Sequence, residues 1–268
     1  MPEGPEAAHA AGELNKKLAG KQLVGIEILR GRYKNHGPPR DYDVFMTALP
    51  LRLVSVEKKG KVLFFHFDKG WYMVSHLGMS GLWYVDDDKP TWRADFRSVA
   101  FSFASGSSLT YSDPRSYGTL TFTRDIQPEL DALAIDVMDA RTTWPRFQEA
   151  LGALRPAALK WPVERLLSDQ QKLVSGIGNY LKSEIMYAAR VAPTRAASSL
   201  TEAEWHAVFD ATKRITAAFA RALKARTADE YEAGFAVYGR REDPSGNPVV
   251  TYKNKEARTV HWVPAVQA

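Results

Sequence analysis

The texture of residues 23 to 123 constrains the fold more than any other feature of the chain. Leu23 to Leu29, Leu51 to Glu57, Val62 to Phe67, Trp71 to Ser75, Ser98 to Phe103, Leu109 to Ser112 and Gly118 to Phe122 are short stretches rich in Val, Ile, Leu, Phe and Tyr, broken by turn residues. Strands this short bury a face only by pairing and stacking. They predict a two-layer antiparallel β-sandwich or a barrel, and nothing in their spacing predicts βαβ units. Lys59-Gly60 marks a tight hairpin between two of them. Ahead of them Ala7, Ala10, Ala11, Leu14 and Leu18 recur at helical spacing with Gly20 as a stop, so one amphipathic helix packs on the sheets. This first unit is expected to span residues 1–125.

Beyond it the pattern changes. Residues 126–144 are polar and acidic and read as a linker with short irregular structure. Pro145 then opens a helix with Phe147, Leu151 and Leu154 on one face, and Val163, Leu166 and Leu167 mark a second. Residues 182–189 look helical again. Thr201-Glu202-Ala203-Glu204 is a capping box that opens a long helix with Trp205, Val208, Phe209, Thr212, Ile215 and Phe219 inward. Residues 145–225 therefore form a helical unit. In 226–268 strands return at Phe235 to Tyr238, Val249 to Tyr252 and Arg258 to Val263, around the polar turn Asp243 to Pro248. So small a β-hairpin unit must dock on a neighbour to stay folded. The fold class is multidomain α+β.

Composition excludes several chemistries. The 268 residues include no cysteine, which removes disulfides, thiolate catalysis and cysteine-ligated metals. His9, His36, His66, His76, His206 and His261 show no zinc-ligand spacing, so no metal is expected. No run approaches the ~18 apolar residues of a membrane span, and the start Met1-Pro2-Glu3-Gly4-Pro5-Glu6 has none of the parts of a secretory signal. An intracellular protein is expected. Lys plus Arg number 36 against 31 Asp plus Glu, a net charge of +5 that permits nucleic-acid binding without arguing for it.

Five places could carry chemistry. Removal of Met1 would leave Pro2 with a terminal secondary amine. An α-amine titrates near about 7.7–8.0, so much of it is nucleophilic at neutral pH, and attack on a sugar's anomeric carbon gives an iminium directly. Glu3 beside it could move a proton; the same three residues also begin many chains in which they do nothing. The loop His76-Leu77-Gly78-Met79-Ser80-Gly81 holds Met79 at its tip, and Asp113-Pro114-Arg115-Ser116-Tyr117-Gly118 offers an arginine and an aromatic two apart. Either these are ordinary turns or they form a wedge that replaces an extruded base. Ser175-Gly176-Ile177-Gly178-Asn179 precedes a helix. It is an ordinary glycine turn, or a place where backbone approaches a phosphate at a helix N-terminus. Lys58-Lys59-Gly60-Lys61 is a solvated turn or a phosphate contact.

Taken in order, PEGPE, HLGMSG, DPRSYG, SGIGNYL and the closing RTVHW resemble the formamidopyrimidine-DNA glycosylase and endonuclease VIII family along essentially the whole chain. Within it the likeness is to the branch with human and giant-virus relatives that lack zinc. The resemblance implies an N-terminal helix and β-sandwich, a helix–two-turn–helix unit and a zincless β-hairpin finger. It implies Pro2 as nucleophile, Glu3 as its acidic partner, and Lys61 in the catalytic set as a contact to phosphate near the lesion. It further implies Met79, Arg115 and Tyr117 as fillers of the emptied duplex position, the third more often Phe in the bacterial enzymes. Asn179 and Arg258 become phosphate ligands. Bacterial members hold the finger with four cysteines around zinc; here Pro244-Ser245-Gly246-Asn247 stands at the first pair, and Val263 and Val266 at the second. The finger should then be held by Trp262, Val263 and Tyr252 and by hydrogen bonds. The implied activity is that of a monomeric, cofactor-free glycosylase and abasic-site lyase. Its partner would be double-stranded DNA with oxidised bases or abasic sites, pyrimidines favoured because PEGPE resembles the endonuclease VIII start. The alternative is a catalytically inactive damaged-DNA-binding or architectural protein.

Overall fold

The computed structural model describes residues 2–85, 96–225 and 234–268, so Met1 and the expected start of the finger at 226 lie outside the described residues. The chain forms two compact units, one of Pro2 and Glu6–Asp131, the other of Glu3–Pro5 and Ala132–Ala268.

The first unit begins with α1 (Gly4–Leu18), β1 (Gln22–Ile28), α2 (Arg32–His36) and α3 (Tyr42–Thr47). β2 (Leu51–Lys59), β3 (Val62–Phe67), β4 (Trp71–His76), β5 (Leu82–Val85), β6 (Arg97–Phe103), β7 (Ser108–Ser112) and β8 (Thr119–Thr123) follow. The strands make one antiparallel series in the order β5-β7-β6-β1-β2-β3-β4-β8. β1 and β2 share only the pairs Gln22↔Arg52 and Leu23↔Leu51, and at this seam the series folds over. The ends then face each other. Trp83 of β5 lies 5.1 Å from the Phe65 ring of β3 and donates its indole N–H to Ser75 Oγ of β4 at 3.0 Å. The expected two-layer sandwich is therefore one folded sheet. α1 covers it with Ala7, Ala11, Leu14 and Leu18, all buried as the helical spacing requires.

One polar contact ties helix to sheet. Asn15 of α1 accepts the Val56 N–H and donates to the Val56 carbonyl, both at 2.7 Å, just past the register shift between Leu53 and Ser55 in β2. The carboxamide thus behaves as one residue of a neighbouring strand, satisfying backbone groups that the irregularity would leave unpaired.

The second unit is helical. After α4 (Gln127–Ala132) come β9 (Ile135–Asp136), α5 (Trp144–Gly152), α6 (Pro156–Leu159), α7 (Val163–Ser168), β10 (Val174–Ser175), α8 (Asn179–Ala188) and α9 (Glu202–Ala225). β11 (Val250–Lys253) and β12 (Thr259–Trp262) close the chain as an antiparallel hairpin. Val163, Leu166, Leu167, Leu181 and Ile185 are fully buried in its core. The capping box forms as expected: Thr201 N–H donates to Glu204 Oε2 at 2.7 Å and Glu204 N–H to Thr201 Oγ1 at 3.3 Å.

Three local expectations differ from the structure. β5 was not expected: four residues before an acidic run give too short a signal. The polar stretch 126–144 contains α4 and β9, which pairs in parallel with β10 and buries Val137 beside it. Phe235 to Tyr238 is a turn and not a strand. Its amides at Ala236, Val237 and Tyr238 donate to the Glu184 carboxylate of α8 at 2.8, 3.0 and 2.7 Å, which leaves none for a ladder. Replacing Asn15 with Leu should lower unfolding free energy by about 2 kcal/mol in a urea titration, since two backbone groups lose their partners at once.

Candidate functional site

Chain ends usually fray, but this one is fastened. Glu3, 1% exposed, directs its carboxylate at the start of α8: Oε2 accepts Gly178 N–H at 2.6 Å and Leu181 N–H at 3.2 Å, and Oε1 accepts Tyr180 N–H at 3.0 Å. Gly4 N–H donates to the Gly176 carbonyl at 2.8 Å. The first amides of a helix have no partner within it and carry the positive end of its dipole, so a carboxylate suits them doubly. The Gly176-Ile177-Gly178 turn that delivers them is shaped by Gln170, which accepts Gly176 N–H at 2.8 Å and donates to the Ile177 carbonyl at 2.9 Å. Gly176 has φ 104, where a side chain is strained, and a Cβ at Gly178 would overlap the Glu3 carboxylate. Pro2, half-buried, is covalently the next residue out.

The two expected wedge loops meet in the first unit. Gly78, at φ 60, packs so closely on the other loop that its Cβ would lie 2.8 Å from Gly118 N. Asp113, buried at the start of the second loop, accepts Gly118 N–H at 2.7 Å, Ser80 O–H at 2.5 Å and Arg115 N–H at 3.3 Å. One carboxylate thus shapes both loops. At their tips Arg115 Nη1 lies 3.6 Å from Met79 Sδ, and Tyr117 is 63% exposed. Arg115 and Met79 therefore stand together, and Tyr117 is exposed on the same loop as Arg115. Lys61 sits in the turn of the β2–β3 hairpin, where Lys59 pairs with Val62 and Gly60 takes φ 59.

In the second unit Asn179 and the finger meet. Asn179 Nδ2 donates one N–H to the Thr259 carbonyl at 2.9 Å, and its second N–H is the one a phosphate could take. Thr259 adjoins Arg258, so both expected phosphate ligands lie at the junction of α8 and the hairpin. Glu3 belongs to this same unit, at the amides that follow Gly178.

The residues at the finger's two ends do not fit zinc. Where the first cysteine pair would lie, the Asp243 carboxylate accepts Ser245 N–H at 2.9 Å, Asn247 N–H at 2.8 Å, Asn247 Nδ2 at 2.9 Å and Tyr187 O–H at 3.1 Å. The Asn247 amide foremost, with the backbone donors and Tyr187, holds its pKa below the usual carboxylate value. Where the second pair would lie, Gln267 Oε1 accepts Val263 N–H at 2.7 Å and its Nε2 donates to the Val191 carbonyl at 2.9 Å. Each turn is closed by a side chain already committed to hydrogen bonds with the turn and its neighbours. Val263 is fully buried, whereas Trp262 and Tyr252 are half-buried; Val237 and Val260 supply the rest of the apolar contact.

Sequence reasoning missed Asp113, Asn15, Gln170, Glu184, Asp243 and Gln267. Two of them had a signal: an Asp directly before Pro in a turn, at Asp113-Pro114 and Asp243-Pro244, is the pattern of a side chain that binds amides two residues on.

Comparison with known proteins places this arrangement. The chain matches the family models "Formamidopyrimidine-DNA glycosylase N-terminal domain" over residues 1–120, "H2TH domain" over 133–229 and "C-terminal domain" over 226–268. A formamidopyrimidine-DNA glycosylase of Cronobacter sakazakii is 27% identical, with 98% of each chain covered. One from Streptococcus agalactiae is 31% identical over 76% of this chain and 72% of its own. The Lactococcus lactis enzyme bound non-covalently to DNA containing an abasic site superposes with a TM-score of 0.82 at 23% identity, over 99% of both chains. A second structure, of MutM with DNA containing carbocyclic 8-oxo-G, gives 0.83 at 22% identity, again over 99% of both.

Three outcomes are expected. Gly178→Ala should expel the Glu3 carboxylate, seen as loss of exchange protection at the Tyr180 and Leu181 amides; retained protection would show that the overlap is absorbed elsewhere. Excess chelator should leave the melting temperature unchanged. Asp243 has a depressed pKa, so its contribution is full above the ordinary Asp value near about 3.9 and is lost as pH falls below it. The melting temperatures of wild type and Asp243→Asn should therefore differ at pH 6 and converge in acid.

Proposed function

The chain belongs to the formamidopyrimidine-DNA glycosylase family, and from that premise we propose that it is a bifunctional DNA glycosylase and abasic-site lyase of base excision repair, acting on duplex DNA as a monomer without a cofactor. The observation that supports this best is the fastening of the chain's end. Glu3 and Gly4 are fixed on the amides and carbonyl of the Gly176–Leu181 segment, so a terminal amine on Pro2 has a defined place instead of a fraying one. A disordered terminus would have little use as a nucleophile.

In the proposed course Met79, Arg115 and Tyr117 fill the position of the extruded nucleotide, while Lys61, Asn179 and Arg258 hold phosphates around it. Unprotonated Pro2 attacks C1′; the C1′–N bond breaks and its electron pair leaves with the base, which takes up a proton. The Pro2 nitrogen gives up its N–H proton. Its lone pair then breaks the C1′–O4′ bond, whose electrons go to O4′ together with a proton, leaving the iminium at C1′. That cation acidifies the C2′ proton, whose loss expels the 3′ phosphate, and a second elimination expels the 5′ phosphate. Glu3 serves as proton carrier, which requires one of its oxygens to exchange an amide donor for a proton. Within the four-part division at 125, 144 and 225, the first part supplies nucleophile, wedge and the Lys61 phosphate contact, and the last two supply Asn179 and Arg258. Oxidised pyrimidines are the preferred bases, on the strength of the PEGPE start.

Borohydride should trap a covalent adduct on an oligonucleotide with an abasic site, and mapping should place it on Pro2. Pro2→Gly, or retention of Met1, should reduce strand cleavage at least about a hundredfold, and the rate should fall on the acid side of about pH 7.7 as the amine protonates. An adduct mapped to a lysine would sink the assignment. Tight binding with no adduct would favour the inactive damaged-DNA-binding alternative. A panel of thymine glycol, dihydrouracil, ring-opened purine and hydantoin duplexes ranks the bases.

A further inference from the structure

The proposed chemistry leaves unused two deeply buried, paired charges of the helical unit. Lys182 of α8 is 1% exposed and Glu164 of α7 is 3% exposed, and their charged atoms lie 2.5 Å apart. A buried ion pair is a poor source of stability, because desolvation offsets most of the attraction; its best-attested use is to select one arrangement over its rivals.

The arrangement selected here lies in the finger. Asn254 Nδ2 donates to Glu164 at 3.1 Å from Oε2 and 3.3 Å from Oε1. An ionised carboxylate only accepts, so it fixes the amide with nitrogen toward α7 and oxygen away from it. That oxygen accepts the Arg258 N–H at 2.8 Å, and Asn254 N–H returns a bond to the Arg258 carbonyl at 3.0 Å. The turn between them passes through Ala257 at φ 56, a conformation that an alanine holds only under outside constraint. The residue after Glu164 helps: Arg165 Nε lies 3.4 Å from Glu256 Oε1, and its guanidinium stacks 3.8 Å above the Trp161 ring. Burial, with the Glu164 carboxylate second, also pushes the pKa of the Tyr252 hydroxyl on β11 upward.

We infer that Lys182, Glu164 and Asn254 are positioning residues for Arg258, a relay from the helical core that sets where the finger arginine is presented to DNA. Lys182 holds the Glu164 rotamer. Glu164 orients the Asn254 amide, and Asn254 fixes the backbone of the turn at Arg258. The role of Arg258 as a phosphate ligand rests on the function proposed above; the relay itself does not.

A double-mutant cycle with Arg258→Ala tests it. Asn254→Ala alone should slow cleavage at an abasic site about tenfold, and in the Arg258→Ala background it should add less than about twofold. Multiplicative effects would overturn the inference. Asn254→Asp keeps an oxygen for Arg258 but sets a carboxylate against Glu164, so it should match Asn254→Ala; wild-type behaviour would show that the link to Glu164 does nothing. A readout without DNA separates the two claims. Hydrogen exchange at the Arg258 amide should quicken at least about fivefold in Glu164→Gln, with α8 core amides unchanged. Unchanged exchange at Arg258 defeats the relay whatever the activity. Quickened exchange in a protein that traps no DNA upholds the relay and defeats the proposed function.

Discussion

The helical unit is organised around a carboxylate that arrives from far away in sequence. Glu3 takes the first amides of α8, and by doing so satisfies donors that the Gly176-Ile177-Gly178 turn cannot pair internally. The same bonds fix Glu3, the residue that follows Pro2. One interaction thus serves the cap of a central helix and the position of the proposed nucleophile. The two roles also depend on the same glycine, since only a residue without Cβ leaves room at 178.

Polar side chains play this organising part throughout. Asp113 shapes the two loops that carry Met79 and Arg115, Asn15 completes the edge of β2, Glu184 binds the turn at Ala236 to Tyr238, and Asp243 and Gln267 close the ends of the finger. Each answers the same need: backbone groups in a turn or irregular segment have no ladder or helix to pair with, and buried they must find a partner. A finger without cysteine makes the need acute, because a metal would have supplied both geometry and binding energy. Short hydrogen-bonded knots supply geometry in its place, and Val237, Val260 and Val263 supply burial.

What was legible in the sequence follows from this. Apolar periodicity is a local signal, so the long α9 and most strands of the sandwich could be placed to within a residue or two, and α1 to within three. The Thr201-to-Glu204 cap is equally local, and it forms. The residue types of the wedge loops and of the glycine turn were visible because glycine and proline punctuate the chain. The partners were not. That Glu3 would meet Gly178, or Glu164 meet Asn254, depends on which distant segments the fold joins, and a glutamate inside a helix shows nothing in advance of whether it will be buried. Phe235 to Tyr238 went wrong for a related reason: aromatic and β-branched residues suit a strand, but the amides were committed to Glu184.

The narrow seam between β1 and β2 has a consequence for how the first unit is assembled in time. β2, β3 and β4 are joined by hairpins and pair with immediate neighbours in sequence. β1 instead finds its main partner in β6, matching Glu27 to Ala100. Closing a loop of that length costs entropy before any contact repays it. The meander can therefore condense early on its own local contacts, whereas the β1–β6 half must wait for most of the unit to be synthesised. Until then Ile26, Phe101 and Phe103 lack the strand partners that the finished sheet gives them.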